Sequence, residues 1–149
     1  MIKHKKMPIV GAVMTSFPYF IEAGDTAVKI ERMMDKHNIR HLPVQENGKI
    51  IGIVSERDLH HYVKRDVPEA EKEAIQARDI MVHDPYIVPF RAPLNEVVFG
   101  MANRRIGSVI VQRRGKLAGI LSAIDVCRIL GEYLESIFPT GKRGGNTAA

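Results

Sequence analysis

Cysteine and aromatic residues are scarce in this chain, and long hydrophobic runs are missing from it. The single cysteine, Cys127, has no second thiol to pair with, so no internal disulfide holds the fold and nothing points to an oxidising compartment. A cytoplasmic setting is the expectation. No apolar stretch approaches the roughly 18 to 20 residues that a membrane-spanning helix needs. The start, MIKHKKMPIVGAVM, has the basic-then-apolar order of a leader, but its apolar run covers only Ile9 to Met14, and Pro8, Gly11 and Pro18 interrupt the region. Aromatic residues make up 6% of the chain, and most fall at positions expected to face a core rather than alternating with basic residues along one strand. With no helix-turn-helix or zinc module either, nucleic acid is not the expected partner.

Catalytic and metal-binding patterns are also lacking. His37, His60 and His61 form no ligand spacing with a cysteine or carboxylate, so no metal site is expected. There is no recognisable Ser-His-Asp order, no paired glutamate acid/base motif, no phosphate-loop lysine and no cofactor fingerprint. The expectation is a protein without enzymatic activity and without a catalytic cofactor.

What is present is the composition of a folded domain, with 45% hydrophobic and 26% charged residues in 149. The net charge of +5 is spread over MIKHKK, Arg104-Arg105, Arg113-Arg114 and Lys142-Arg143, which favours an anionic partner without naming one. The tail GKRGGNTAA is Gly-rich and polar, and disorder is expected over 139–149.

The strongest signal is an internal duplication. Residues 52–59 read GIVSERDL and residues 119–126 read GILSAIDV; sliding the chain by 67 positions aligns 14–58 with 81–125 without a gap and gives 13 identities in 45 positions. They include Met14/Met81, Pro18-Tyr19/Pro85-Tyr86, Val44-Gln45/Val111-Gln112 and the Ser-x-x-Asp pairs Ser55/Asp58 and Ser122/Asp125. Two copies of this length form a pseudo-symmetric pair and not a solenoid.

Each copy has the same grammar. A short extended piece (Tyr19 to Ile21; Tyr86 to Val88) precedes a helix with apolar positions at Ala27, Ile30 and Met34, or at Leu94, Val97, Val98 and Met101. Asp25 is the expected cap of the first helix and Pro93 suits the first turn of the second. Two strands follow around Asn47-Gly48 or Arg114-Gly115, Asn-Gly between apolar runs being a strong hairpin signal. A last helix starts at each Ser-x-x-Asp. The expected fold is α+β, β-α-β-β-α twice: repeat 1 over 8–65, a charged linker with a short exposed helix over 66–76, and repeat 2 over 77–138.

Two readings of Ser-x-x-Asp stay open on chemistry alone. One is a capping box, in which the serine takes a first-turn N–H and the aspartate reaches back. The other is a ribonucleotide site: free N–H donors and a hydroxyl for phosphate, a carboxylate for the ribose diol, and Val54 or Leu121 as an apolar wall for a base. Gly52 and Gly119 would allow a backbone or a ligand to approach closely. Only copy one carries cations around its motif, Arg40, His41 and Arg57, where copy two has Gly107, Ser108 and Ile124.

The Met-x-x-x-Pro segments at Met14 and Met81, the Ile39-Arg40-His41-Leu42-Pro43-Val44 run and both Gly-x-x-Ser-x-x-Asp motifs, in this order, resemble the tandem cystathionine-β-synthase (CBS) domain pair, or Bateman module, over nearly the whole chain. The resemblance implies a regulatory module that binds an adenine nucleotide or adenosyl compound (AMP, ADP, ATP, S-adenosylmethionine or NAD type) and signals by a shape change. It implies contacts from Thr15, Arg40, His41, Val54, Ser55, Arg57 and Asp58 in repeat 1. In repeat 2 it implies Val82, His83, Pro85, Tyr86, Gly107, Ser108, Leu121, Ser122 and Asp125. It further implies a homodimer packed through helices, which agrees with the apolar stripe Val126, Ile129, Leu130, Tyr133, Leu134 and Ile137, and an unidentified protein target. The competing readings are a nucleic-acid-associated protein and a scaffold with vestigial sites.

Overall fold

The structure, a computed structural model, describes residues 5–139; the first four residues and the segment 140–149, which holds Lys142-Arg143 and nearly all of the expected disordered tail, lie outside the described residues. In chain order the elements are α1 (Val10–Val13), β1 (Thr15–Ser16), β2 (Ile21–Glu22), α2 (Ala27–His37), β3 (His41–Glu46), β4 (Lys49–Ser55) and α3 (Glu56–Tyr62). They continue with α4 (Glu69–Glu73), α5 (Ala77–Ile80), β5 (Val82–His83), β6 (Ile87–Pro89), α6 (Leu94–Arg104), β7 (Ser108–Arg113), β8 (Lys116–Ser122) and α7 (Ala123–Ile137). The fold is α+β, and β-α-β-β-α occurs twice, as β2-α2-β3-β4-α3 and β6-α6-β7-β8-α7.

Local chemistry sets these elements. Ala27, Ile30 and Met34 form the buried face of α2, and Leu94, Val97 and Met101 that of α6. The cap of α2 is Thr26, whose hydroxyl accepts from the Lys29 N–H at 3.3 Å, and not Asp25 as the sequence suggests. Asp25 instead accepts from the Glu22 N–H at 2.7 Å and pairs with Lys29 at 3.1 Å. Both hairpins turn through two left-handed residues, Asn47 and Gly48 (φ 52° and 75°) or Arg114 and Gly115 (φ 54° and 75°), which matches the strand twist. The repeated Val-Gln dipeptide marks a register shift in each hairpin, at Val44/Gln45 and Val111/Gln112.

The lead-in segments are exchanged between the repeats. The two sheets run β2-β3-β4-β5 and β1-β8-β7-β6, so β5, which opens repeat 2, edges the sheet of repeat 1, and β1, which opens repeat 1, edges the sheet of repeat 2. Thr15 and Ser16 pair with Ile120 and Gly119, while Val82 and His83 pair with Ile53 and Gly52. Flanking bonds repeat the exchange: Val10 N–H donates to Ala92 O (2.8 Å) and Gly11 N–H to Phe90 O (3.0 Å), matched by Ala77 N–H to Asp25 O (2.8 Å) and Arg78 N–H to Ala23 O (3.0 Å). The cores follow suit. Lobe A packs Ile21, Ile30, Leu42, Val44, Val54 and Leu59 with Ala77 and Ile80; lobe B packs Val88, Val97, Val109, Val111 and Leu121 with Val10.

This exchange explains the glycine of the repeated motif. A Cβ on Gly52 would lie 2.6 Å from Met81 Sδ and 2.9 Å from the Val82 carbonyl oxygen; on Gly119 it would collide with Met14 Sδ and come within 2.7 Å of the Thr15 carbonyl oxygen. The close approach is therefore by the other repeat's strand.

Two expectations need correction. None of the tyrosines or phenylalanines is fully buried; Phe17, Tyr19, Phe20, Tyr62, Phe99, Tyr133 and Phe138 are exposed, because the volume beneath each small sheet is filled by valine, isoleucine, leucine and methionine. The linker helix α4 is present, but it is not wholly exposed: Lys72 is buried, and its ammonium donates to both Glu31 carboxylate oxygens (3.1 and 3.2 Å) and to Arg65 O (3.1 Å), tying the linker to α2.

Replacing Gly52 or Gly119 by alanine is expected to destabilise the protein by about 1–3 kcal/mol, the usual effect of overpacking where a backbone oxygen is among the atoms that must yield. Denaturant melts of the two variants check this, and equal loss at both positions is expected from the pseudo-symmetry.

Candidate functional site

Each Ser-x-x-Asp pair ends the last strand of a hairpin and starts a helix. Asp58 Oδ2 accepts from the Ser55 N–H (2.9 Å) and hydroxyl (2.8 Å), and Ser55 Oγ accepts from the Asp58 N–H (3.0 Å); Ser122 and Asp125 repeat this at 2.9, 3.0 and 3.2 Å. The capping box is thus built in both copies. A second first-turn donor is also engaged, since Glu56 N–H donates to Arg40 O and Ala123 N–H to Gly107 O, both at 2.8 Å. Two first-turn N–H groups at each motif are thus already engaged. Oδ1 of Asp125 lies 3.8 Å from Arg128, whereas Asp58 forms no ion pair among the described residues, leaving its outer oxygen as an acceptor.

Beside Ser55 and Asp58 opens a cleft of about 1030 Å³. Lobe A lines it with Arg40, His41, Ile53, Ser55, Glu56, Arg57, Asp58, His60 and Val82 of the exchanged strand; the remaining wall is Asp84 to Ile87 and Arg104 to Ser108. Its charges are arranged unevenly. Glu56 is shared between Arg40 (3.9 Å) and His60 (4.0 Å). The Arg104 guanidinium lies over the Tyr86 ring, 4.0 Å from its centroid, and donates to Gly100 O at 3.4 Å; Gly100 has no side chain because the Tyr86 hydroxyl occupies that space. Arg57 and Arg105 have no carboxylate partner among the described residues.

His41 is held below the ordinary imidazole range of 6.5, chiefly by burial; the Asp58 carboxylate opposes this shift and Arg40 adds to it. A Cβ on Gly107 would lie 3.5 Å from His41 Nε2, so the two pseudo-equivalent strand starts face each other where the lobes meet.

Of the residues singled out from the sequence, the cleft gathers Arg40, His41, Ser55, Arg57, Asp58, Val82, Pro85, Tyr86, Gly107 and Ser108. Val54 and Leu121 are fully buried and point into the cores. Strand alternation puts Ile53, one residue earlier, on the cleft. Thr15, assigned to repeat 1, lies on the edge of lobe B beside β8, and His83 lies on the edge of lobe A opposite Gly52. Ser122 and Asp125 stand at the pseudo-equivalent corner of lobe B, away from this cleft. The sequence reading missed Ile53, Glu56, His60, Asp84, Ile87, Arg104, Arg105 and Ile106 as lining residues. Alternation alone could have found Ile53, and Arg104-Arg105 was visible as a basic pair ahead of Gly107.

The duplication supplies its own comparison. At the positions equivalent to Arg40, Arg57, Arg104 and Arg105 the other copy has Gly107, Ile124, His37 and Asn38, and at that of Asp84 it has Phe17. There Tyr19 stacks on His37 with ring centroids 3.8 Å apart, where Tyr86 is covered by Arg104. No arginine is retained at any of the four equivalents.

A duplicated, strand-exchanged α+β pair with a cleft at the junction of its lobes is a tandem two-repeat architecture. Residues 10–65 and 77–132 each match the CBS domain, and the chain belongs to that family as a tandem pair. It is 28% identical over 127 residues to the inosine-5′-monophosphate dehydrogenase of Thermoplasma acidophilum, covering 84% of this chain and 23% of that enzyme, so the chain spans about a quarter of the relative's length. Among solved structures it resembles a putative acetoin utilization protein from Vibrio cholerae (TM-score 0.75, 28% identity, 92% of this chain and 100% of that one). It also shares its fold with a CBS domain pair in complex with 5′-methylthioadenosine and S-adenosyl-L-methionine (TM-score 0.72, 22% identity, 86% and 99%) and with CBSX2 in complex with AMP (TM-score 0.70, 21% identity, 84% and 97%).

The depressed His41 predicts a pH dependence with a definite sign. Near pH 6.5 the unfolded chain binds a proton that folded His41 resists, so this residue's stability is complete above pH 6.5 and declines as the pH falls below it. Denaturant melts at several pH values are expected to show a shallower acid-side decline in His41→Gln than in the parent protein.

Proposed function

We propose that the chain is a regulatory module that binds an adenine nucleotide or adenosyl compound in the cleft between its lobes and responds by changing their relative angle. The working unit in this reading is the pair of repeats over 8–65 and 77–138, joined by the linker 66–76. The observation that carries it is the convergence of Asp58, whose outer carboxylate oxygen is left open by the cap, with Arg40, His41 and Arg57 in one cleft. A carboxylate accepts both hydrogen bonds of a ribose diol, and guanidinium forks match phosphate oxygens. Ile53, Val82, Ile87 and Ile106 supply apolar surface for a base. The ligands named for two structural neighbours, AMP in one and S-adenosylmethionine with methylthioadenosine in the other, support the ligand class. The dehydrogenase chemistry of the curated relative is not carried over by a match to 23% of its length. The reading is of a non-enzymatic, ligand-sensing role, with a protein target as the recipient of the signal.

Adenine nucleotides are expected to raise the melting temperature, by the equivalent of about 2.7 kcal/mol at a hundredfold excess over Kd. Asp58→Asn, which keeps an oxygen for the cap but removes the carboxylate, should weaken binding at least tenfold with little loss of unliganded stability. A flat response to adenosine, AMP, ADP, ATP and S-adenosylmethionine at millimolar concentration would leave the cap as the whole purpose of the motif. Calorimetry of adenosine beside AMP reads the arginines: AMP is expected to bind more tightly, and its advantage to shrink with salt. The pseudo-equivalent corner at Ser122 and Asp125, where Gly107, Ile124, His37 and Asn38 stand for the four arginines, is suited to a less charged adenosyl compound.

We also propose that the module is a homodimer through α7. No residue of this 15-residue helix is fully buried, although Val126 and Ile129 pack on the lobe B core; Leu130, Tyr133, Leu134 and Ile137 remain 44–56% exposed on one apolar face. A second copy offering the same face covers it by closed two-fold packing. Light scattering during size exclusion is expected to give twice the chain mass, and Leu130→Glu to give the monomer; a monomeric parent protein at micromolar concentration removes the dimer.

A further inference from the structure

Resting on the nucleotide reading of the cleft, we propose that Arg105, with Arg104 beside it, makes this site selective for ligands carrying two or more adjacent phosphates over a monophosphate. The first three observations are geometric. Arg40 and Arg57 come from the lobe A wall and Arg104 and Arg105 from the opposite one, so the cleft presents guanidinium groups from both sides of a single space. Its volume of about 1030 Å³ lies just above the ~300–1,000 Å³ usual for small-molecule sites. Three carboxylates line the cleft with the four arginines: Glu56, 3.9 Å from Arg40, and Asp58 on the lobe A side, and Asp84 as the lone acidic group on the wall shared with Arg104 and Arg105.

The fourth observation is conformational. Arg105 closes α6 in the left-handed region, φ 54° and ψ 45°. The duplicate position holds Asn38 at φ 51° and ψ 48°, and asparagine is the non-glycine residue best suited to that region. Repeat 2 has arginine for asparagine at two such left-handed positions, Arg105 and Arg114, and of these Arg105 lines the cleft that holds Arg40 and Arg57 of repeat 1. Its neighbour Arg104 is fixed by the Tyr86 ring and Gly100 O, while Arg105 has no ion-pair partner among the described residues and extends from an exposed corner. A monophosphate seated by Arg40 and Arg57 does not need the far wall. A second and third phosphate reach it, and in doing so bridge the two lobes.

The test is calorimetry of AMP, ADP, ATP and an NAD-type dinucleotide on the parent protein and on Arg105→Asn, which installs the residue of the other copy. Affinity is expected to rise about tenfold or more from AMP to ADP or ATP, and Arg105→Asn is expected to abolish that rise while leaving AMP within about twofold. A terminal oligophosphate as the source shows as ATP exceeding the dinucleotide, and an internal pyrophosphate as the reverse; either outcome supports the proposal. Equal affinity for AMP, ADP, ATP and the dinucleotide overturns it and leaves the adenosyl reading intact, as does an Arg105→Asn variant that weakens all of them alike. Inorganic tripolyphosphate separates the two readings. If no adenine compound binds but tripolyphosphate raises the melting temperature in an Arg105-dependent manner, the phosphate selectivity stands and the adenosyl reading fails; if tripolyphosphate is also without effect, both fail.

Discussion

The structure depends on the reciprocal exchange of two edge strands, and the exchange depends on two glycines. Gly52 and Gly119 leave just enough room for Met81 and Met14, with the carbonyl oxygens of Val82 and Thr15, to lie against the middle strands of the opposite repeat. Each repeat thereby completes the other's sheet and contributes to its core: Ala77 and Ile80 are buried in lobe A, and Val10 in lobe B. Neither lobe is complete without residues that precede the other in sequence. Any ligand that changes the angle between lobes acts on a joint made of backbone hydrogen bonds and packed methionine, and not on a free linker.

The same joint places the cleft. Because β5 pairs with β4, the segment from Val82 to Ile87 is delivered beside Ser55 and Asp58, and the turn after α6 brings Arg104 to Ser108 to the far wall. The capping box and a ligand site are compatible at this corner. The cap occupies Oδ2 of Asp58 and fixes the carboxylate, leaving the other oxygen oriented by a bond already made. A preoriented acceptor loses less freedom on binding than a mobile one.

Divergence between the copies then acts on a conserved geometry within one chain. With φ nearly identical at Asn38 and Arg105, and at Asn47 and Arg114, the two halves differ at these corners by side chain and not by backbone. One cleft collects four arginines and a half-buried, proton-resisting histidine; the equivalent positions in the duplicate carry glycine, isoleucine, histidine, asparagine and serine.

By itself the sequence determined most of what depends on short-range chemistry, the choice of Thr26 over its neighbour Asp25 as the cap of α2 being the exception. Apolar spacing at Ala27, Ile30 and Met34, the Asn47-Gly48 turn, and serine three residues before aspartate each specify a helix face, a hairpin and a cap through contacts within a few residues, and a gapless duplication doubles every such signal. The resemblance carried by those motifs reached the family for the same reason. Tertiary structure decided which repeat each lead-in segment belongs to, since β1 and β5 are two residues long and have no pattern of their own until a partner strand gives them hydrogen bonds. It also decided which side of β4 faces the cleft, where Ile53 and not Val54 emerges, because a strand's two faces are distinguished only by what packs against them. Arg104 and Arg105 could be read locally only as a basic pair at a helix end; their membership of the cleft of the other repeat follows from how the two lobes are joined, a contact about fifty residues away along the chain that no local spacing encodes.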